Sequence, residues 1–489
     1  MKKKRKLSLM VTFLTVFFTG ACSQSKSEEV TEKEEDKVVQ KVNLTVDEQK
    51  QYQEIESFGA SGAWWAQDVG GWEENETDNL SKRDYIARLL FDSEEGIGLS
   101  SYRYNIGAGS ADGDNSPKIT DPWRRAESFE TSPKNYDWEK DANARYMLEK
   151  AVSYGIDDIY LFANSPIERL TKSGSAYGEN VNGNYSNLPA ENYQAFSDYL
   201  LDVTEHFQEE GIPIKAISPI NEPQWEWLEG QEGCHYTPEE VVAFSNLFAK
   251  EKQKRKTLDS VEISVPELGE WSNSSRPYYK AMIADKEFMA TYTTWDIHSY
   301  WSNDIQKEEI KDFFDENKID VTLNTSEWTE MVNGKDMTMN SALVLANQIY
   351  EDLTILDVQN WQYWIAVSCY DYRDGLIYVD QKEHSIEPSK RLWAMGNFSK
   401  YIRPQAQRIA SESDDKEIVT TAFADPTTNE IITVLINNGL NEKEVKLPDG
   451  YQAKEVAETS EEHDLEVMKS NGNKVTIPRQ SVTTVILTK

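Results

Sequence analysis

The sequence predicts an α/β fold, a (β/α)8 TIM barrel with a C-terminal antiparallel β-sandwich domain, and three observations carry that expectation. Eight β-prone runs alternate with helical stretches. After "YIRP", residues 401 to 404, the pattern becomes one of polar and apolar alternation with turn residues between runs. At 489 residues the chain has room for a barrel-sized core plus a second module.

The elements follow in order. Residues 1–21 read as a signal peptide: "MKKKRK" is a basic n-region, "LSLMVTFLTVFF" an apolar h-region, and "TGAC" a small-residue cleavage site. The h-region is too short for a spanning helix. Thr19, Gly20 and Ala21 before Cys22 resemble the bacterial lipobox, in which that cysteine is acylated after cleavage. Thr19 stands where that motif usually has Leu or Val, which keeps an ordinary signal peptide open. Residues 22–41 are polar and charged with almost nothing to bury, so they read as a flexible acidic tether. The expected location is extracellular, as a lipoprotein on the cell surface whose one membrane contact is the lipid on Cys22.

Residues 42–56, "VNLTVDEQKQYQEIE", have β character and are expected to join the sandwich from the other end of the chain. Residues 57–402 hold the barrel. Its strands are read in "SFGASGAWW", "IGLSSYRYNIG", "IDDIYLFANSP", "IKAISPINEP", "VEISVPELGE", "TTWDIHSYW", "IDVTLNTSEW" and "QNWQYWIAVS". Between them lie stretches such as "AENYQAFSDYLLDVTEHFQEEG", with apolar residues at three- and four-residue spacing. "TPEE" opens the helix after strand four, with Thr237 as N-cap, Pro238 in the first turn and Glu240 completing a capping box. Residues 403–489 supply the sandwich, in runs such as "IVTTAFADPTTNEIITVLINNG".

Composition narrows the function. A net charge of −34 repels polyanions, so nucleic acid is excluded as a partner. The 14 Trp and 24 Tyr offer flat amphipathic faces suited to sugars, which makes a polysaccharide or oligosaccharide the expected partner of a monomeric chain. Cys234 and Cys369 lie too far apart in sequence to read as a disulfide framework. No Cys/His spacing resembles a zinc site, so no metal and no cofactor are expected.

In such a barrel the chemistry sits at the C-terminal strand ends. Strand four is expected to end in Asn221 and Glu222, and strand seven in Glu327. Two carboxylates facing one another across the mouth suit glycosidic hydrolysis with retention, one protonating the leaving oxygen and the other attacking the anomeric carbon. Pro223 terminates the strand behind Glu222.

The stretches "FGASGAWW", "SSYRYNIGAGS", "FANSP", "SPINEPQWEW", "WDIHSYW", "NTSEWTEM", "WQYWIAV" and "NFSKYIRP" together resemble glycoside hydrolase family 30, and most closely its endo-β-1,6-galactanase-like branch. The resemblance runs from about Val42 to Lys489. It implies Glu222 as acid/base, Glu327 as nucleophile and Asn221 as partner of the hydroxyl beside the anomeric carbon. It also implies Arg103 near the nucleophile, His298 and Tyr300 as the strand-six pair with Tyr300 bonding Glu327, and Trp364 as the floor of the sugar ring. Trp64, Trp65, Asn164 and Trp225 are the candidate walls. Family members act on β-1,6-galactan, β-1,6-glucan, glucuronoxylan and smaller glycosides, and endo or exo action stays open. "QWEWLEGQEGC" favours galactan by analogy, whereas Arg373 in "YDYRDGL" could read a uronate. A non-catalytic surface glycan-binding lipoprotein is the rival of another class.

Overall fold

The computed structural model describes residues 40–76, 79–469 and 472–489. The signal segment, Cys22 and the tether up to residue 39 lie outside the described residues.

Eight consecutive strand segments build one parallel sheet: Ser57–Ser61, Ser101–Asn105, Asp158–Phe162, Ile214–Ser218, a fifth in two pieces, Glu262–Ile263 and Pro266–Leu268, then Thr294–His298, Thr322–Glu327 and Asn360–Tyr363. Numbered one to eight, they pair in the order 5-4-3-2-1-8-7-6-5, with both edge positions occupied by pieces of strand five. Only Ser264 and Val265 separate those pieces. The Ser264 amide donates to the Ile217 carbonyl on one side and the Asp296 amide to the Val265 carbonyl on the other. The sheet therefore curls back onto its own starting edge, and a chain break in hydrogen-bond register stands where a continuous fifth strand was expected.

Strands one, two and eight are buried at every position, because side chains fill the inside and helices cover the outside. One helix at least follows each strand, from Lys82–Phe91 to Lys390–Ser399. Tyr193–Glu209 turns Phe196, Leu200, Val203 and Phe207 inward, the spacing that made it legible as a helix. The capping box at Thr237 and Glu240 is present, and a second one, Asn303 with Gln306, opens Asp304–Asn317.

The strand Gln40–Glu54 and the segments from Gln407 onward form a second, mostly antiparallel sheet of nine strands. Gln40–Glu54 begins two residues ahead of the expected Val42 and pairs antiparallel with Gln407–Ser413, from Leu44 opposite Ser413 to Glu54 opposite Gln407. Its first four residues pair in parallel with Lys443–Lys446. Val42, Leu44, Ile409, Leu435, Val445 and Val485 form part of a separate apolar core there. The helix Lys390–Ser399 joins the two sheets: the Asn397 side chain donates to the Ala457 carbonyl at 3.1 Å and to Thr484 Oγ1 at 3.0 Å.

One buried carboxylate ties three strands together. Asp352, on helix Met339–Ile355, accepts from Trp361 Nε1 of strand eight at 2.9 Å and from Ser299 Oγ, just past strand six, at 2.8 Å. Thr325 Oγ1 of strand seven reaches it at 3.3 Å, and the fully buried Lys307 pairs with it at 2.9 Å. Removing one partner of a buried pair leaves the other charge uncompensated. Asp352→Ala is expected to cost about 3–5 kcal/mol, and Asp352→Asn, which keeps an acceptor for Trp361, clearly less. Urea unfolding of the two variants checks this.

Candidate active site

Glu327 ends strand seven, as expected. Glu222 does not end strand four: the strand stops at Ser218, and Asn221 and Glu222 occupy the turn beyond it. There Glu222 adopts a left-handed backbone with φ of 41°, and its amide donates to the Glu267 carbonyl at 2.8 Å. A non-glycine residue holds that conformation only when its surroundings over-determine it. Part of that determination is Gly269, where a Cβ would lie 2.7 Å from both Glu222 Oε1 and Trp225 Nε1. Only glycine leaves room for both groups.

Beneath the two glutamates lies a third, Glu267, at the end of strand five and 1% exposed. Two cations balance the three. Arg103, from strand two, donates through Nη1 to Glu327 at 2.5 Å and stands 3.4 Å from Glu267 through Nη2, which also donates to Asn221 Oδ1 at 3.1 Å. His298, ending strand six, places Nδ1 3.1 Å from Glu222 and 3.4 Å from Glu327, and Nε2 3.0 Å from Glu267. Tyr300 donates to Glu327 Oε1 at 2.9 Å, and an amide chain runs from Asn221 to Asn164 to Asn105 at 3.0 and 3.1 Å.

The electrostatics follow from these contacts. Burial opposes a charged imidazole, but Glu327, Glu222 and Glu267 outweigh it and push His298 up to about 10. Burial likewise opposes an ionised Glu267, yet Arg103 and His298 bring it down to about 2. Glu327 lies above the ordinary glutamate value of 4.5: burial and the neighbouring Glu222 raise it more than His298 and Arg103 lower it. Glu222, His298 and Glu327 each offer a ligand atom within 4.8 Å of the others, a spacing that a metal ion could use. An imidazolium donating from both nitrogens has no lone pair to give, so this trio acts as a hydrogen-bonded charge cluster.

Above the cluster opens a cavity of about 850 Å³ with two aromatic walls. One, from the turns after strands one and eight, holds Trp64, Trp364 and Tyr370, with Trp64 at 5.0 Å from Trp364 and 6.4 Å from Tyr370 between ring centres. The other, from the turns after strands four and six, holds Trp225, Trp227 and Trp301, and Trp225 meets Trp301 edge-on at 5.6 Å. Asn164, Asn221 and Tyr300 line the floor between them with Glu222 and Glu327.

Of the expected site residues, Trp65 is a correction. It is fully buried, and its indole N–H donates to the Ser61 carbonyl at 2.8 Å, so it packs the core rather than walling the cavity. Both tryptophans lie in the turn after strand one, where Trp64 takes a left-handed backbone with φ of 69° and lines the cavity. Arg103 and His298 stand beneath the cavity and touch the carboxylates instead of lining it. Arg373 is tied to Glu330 at 2.7 Å and lies outside the cavity lining. Cys234 and Cys369 are both free thiols. Sequence reasoning missed Glu267, Trp301, Trp227, Arg124 and Asp374. Glu267 carried one signal, its place beside Pro266 at the end of strand five.

The chain resembles known proteins in sequence and in fold. The model for "O-Glycosyl hydrolase family 30" matches residues 41–281 and 321–378, more than half of the chain. An endo-β-1,6-galactanase of Hypocrea rufa is 26% identical over 432 residues, 81% of each chain. A conserved exported protein from Bacteroides fragilis superposes with a TM-score of 0.81 at 25% identity, over 91% of this chain and 100% of that one. The catalytic domain of a family 30 xylanase C from Talaromyces cellulolyticus does so with a TM-score of 0.70 at 19% identity, over 92% of this chain and 100% of that one. The chain is a glycoside hydrolase and belongs to family 30.

Proposed function

We propose that the chain hydrolyses β-linked polysaccharide with retention of configuration, that its curled sheet is a (β/α)8 barrel, and that β-1,6-galactan is its substrate. The observation that carries the mechanism is the proximity of Glu222 and Glu327, whose nearest oxygens lie within 4.8 Å. Retaining enzymes keep their two carboxyl groups at about 5–5.5 Å, whereas inverting ones leave space for a water between them.

In this reading Glu327 attacks the anomeric carbon while Glu222 gives its proton to the leaving oxygen. A covalent glycosyl–Glu327 ester and a free alcohol result. Water then enters, Glu222 takes its proton, and the ester opens to free Glu327 and a sugar of the original anomeric form. Arg103 and Tyr300 each hold one oxygen of Glu327, which fixes its line of attack. Asn221, anchored by Arg103 and Asn164, faces the hydroxyl beside the anomeric carbon.

The galactan assignment draws support from the relative of that name, and from Arg373, whose engagement with Glu330 removes the uronate reader that glucuronoxylan would have used. Two aromatic walls on opposite sides of the mouth leave sugar-binding surface on both sides of the scissile bond, which favours internal cleavage. For the N-terminus we propose a lipid on Cys22. Cys22→Ser is expected to release the enzyme into the medium with unchanged activity per molecule, read by fractionating cells and assaying both fractions.

Glu327→Gln should lower turnover by roughly four orders of magnitude or more on every substrate, since no other group forms the ester. Glu222→Ala should lose roughly 10²–10⁴ on galactan but far less on an activated aryl glycoside, with azide restoring rate. Equal loss on both substrates refutes Glu222 as the acid, and NMR of the first-formed anomer tests retention.

The pH profile gives an independent check. Glu327 must be ionised to attack and its pKa is raised, so activity is lost as pH falls through a value above 4.5. His298→Gln removes the cation that most lowers Glu327, so the acidic limb measured with the aryl glycoside should move to higher pH. An unmoved limb would mean that another group sets it.

A further inference from the structure

Resting on the reading of Glu222 and Glu327 above, we propose that Asp374 and Arg124, on the wall built by strands one and eight, read adjacent hydroxyls of the neutral sugar unit on the glycone side of the scissile bond.

The side assignment follows from topology. In a ring of eight strands the turns after one and eight lie opposite the turns after four and five. Glu222 belongs to the strand-four side, where it meets the leaving group. The wall facing it across the mouth therefore meets the glycone, the unit that becomes esterified to Glu327.

Asp374 is 5% exposed, lines the cavity, and its Oδ1 is buried without a hydrogen-bond partner. The Ser368 hydroxyl bonds this carboxylate but does not exhaust its acceptor capacity, which is left for a donor entering the cavity that Asp374 lines. A carboxylate oxygen accepts and has no proton to give, so the group it awaits is a donor such as a hydroxyl.

Arg124 supplies the complementary half. Its guanidinium carbon lies 4.5 Å over the Trp64 ring and 4.9 Å over the Tyr370 ring, and Nε donates to Tyr370 Oη at 3.1 Å. Stacking fixes the fork in one plane. Among the described residues Arg124 makes no ion pair, and it is the one Lys or Arg in the cavity lining. Its terminal N–H groups are donors on the wall that also carries the Asp374 carboxylate, a pairing that sugar hydroxyls satisfy by donating to Asp374 and accepting from Arg124.

Charge selects a neutral ligand. Asp374 and Asp371 line the same wall, and Asp121 accepts from Tyr370 Oη at 2.8 Å. Three carboxylates against one guanidinium repel a uronate, whereas a neutral ring meets both donor and acceptor.

The test uses the full-length enzyme on whichever β-linked oligosaccharide it cleaves in a panel of galactan, glucan and xylan fragments, together with analogues lacking one hydroxyl at a time on the glycone unit. Asp374→Ala should lower kcat/KM by roughly 10²-fold or more on the parent, with the melting temperature close to that of the parent enzyme. On the one analogue lacking the hydroxyl that Asp374 holds, wild type and variant should differ only a few-fold, and Arg124→Gln should show the same pattern for the adjacent hydroxyl. A kcat/KM within twofold of wild type on the parent would overturn the proposal. So would an equal loss across every analogue, the mark of a structural role. Trapping Glu327 with a fluorinated aryl glycoside, detected by intact mass, checks the two-glutamate mechanism separately: labelling of wild type at Glu327 together with an indifferent Asp374→Ala would leave the mechanism standing and sink this inference alone.

Discussion

Three glutamates share a buried space with one arginine and one histidine, and the rest of the site depends on that balance. Isolated carboxylates at such depth would take up protons, because attraction and repulsion both grow as the effective dielectric falls. Arg103 and His298 prevent this for Glu267, the deepest of the three. Glu327, Glu222 and Glu267 in turn keep His298 protonated, and the imidazolium faces all three. Glu267 acts through the two cations and has no surface in the cavity.

This balance also explains why the sheet must curl. Its members come from strands two, four, five, six and seven, which a flat sheet would spread over several strand spacings of about 5 Å each. Curling brings all of their C-terminal ends within contact distance. The break in strand five belongs to the same arrangement: Pro266 cannot donate to the ladder, and Glu267, with φ of 52°, bends toward the centre. The Glu267 carbonyl then receives the Glu222 amide. Two positive-φ glutamates thus meet through one backbone hydrogen bond, and the Asp352 network joins strands six, seven and eight to their covering helix.

Legibility in the sequence tracks how local each signal is. Strands with continuous apolar runs, helices with three- and four-residue spacing, and the Thr237 cap were all readable, since each is a property of a few neighbouring residues. Glu222 and Glu327 stood out because Pro223 and Trp328 directly follow them. Glu267 stayed hidden: "VPELGE" looks like any turn until strands four and six are folded against it. Trp64 and Trp65 were indistinguishable because a single φ of 69° at Trp64 decides which of them faces the cavity. Arg373 looked free in a sequence where its partner Glu330 is 43 residues away.

The residues hardest to read are those that would choose the substrate. Trp301, Trp227, Arg124 and Asp374 reside in turns whose path depends on packing between loops from different strands. A Trp at a strand end is legible as an aromatic, yet its role depends on whether another ring stands across from it. The cavity resolves this by placing Trp64 with Trp364 on one side and Trp225 with Trp301 on the other. The overall charge of −34 enters here as well. The buried cluster uses its cations for its own carboxylates and for Asn221. Cationic surface facing the sugar is left to Arg124 alone among the described lining residues. On the proposed reading such a site distinguishes substrates by ring faces and hydroxyl positions rather than by net charge, so the choice of glycan would be written in loop geometry and not in composition.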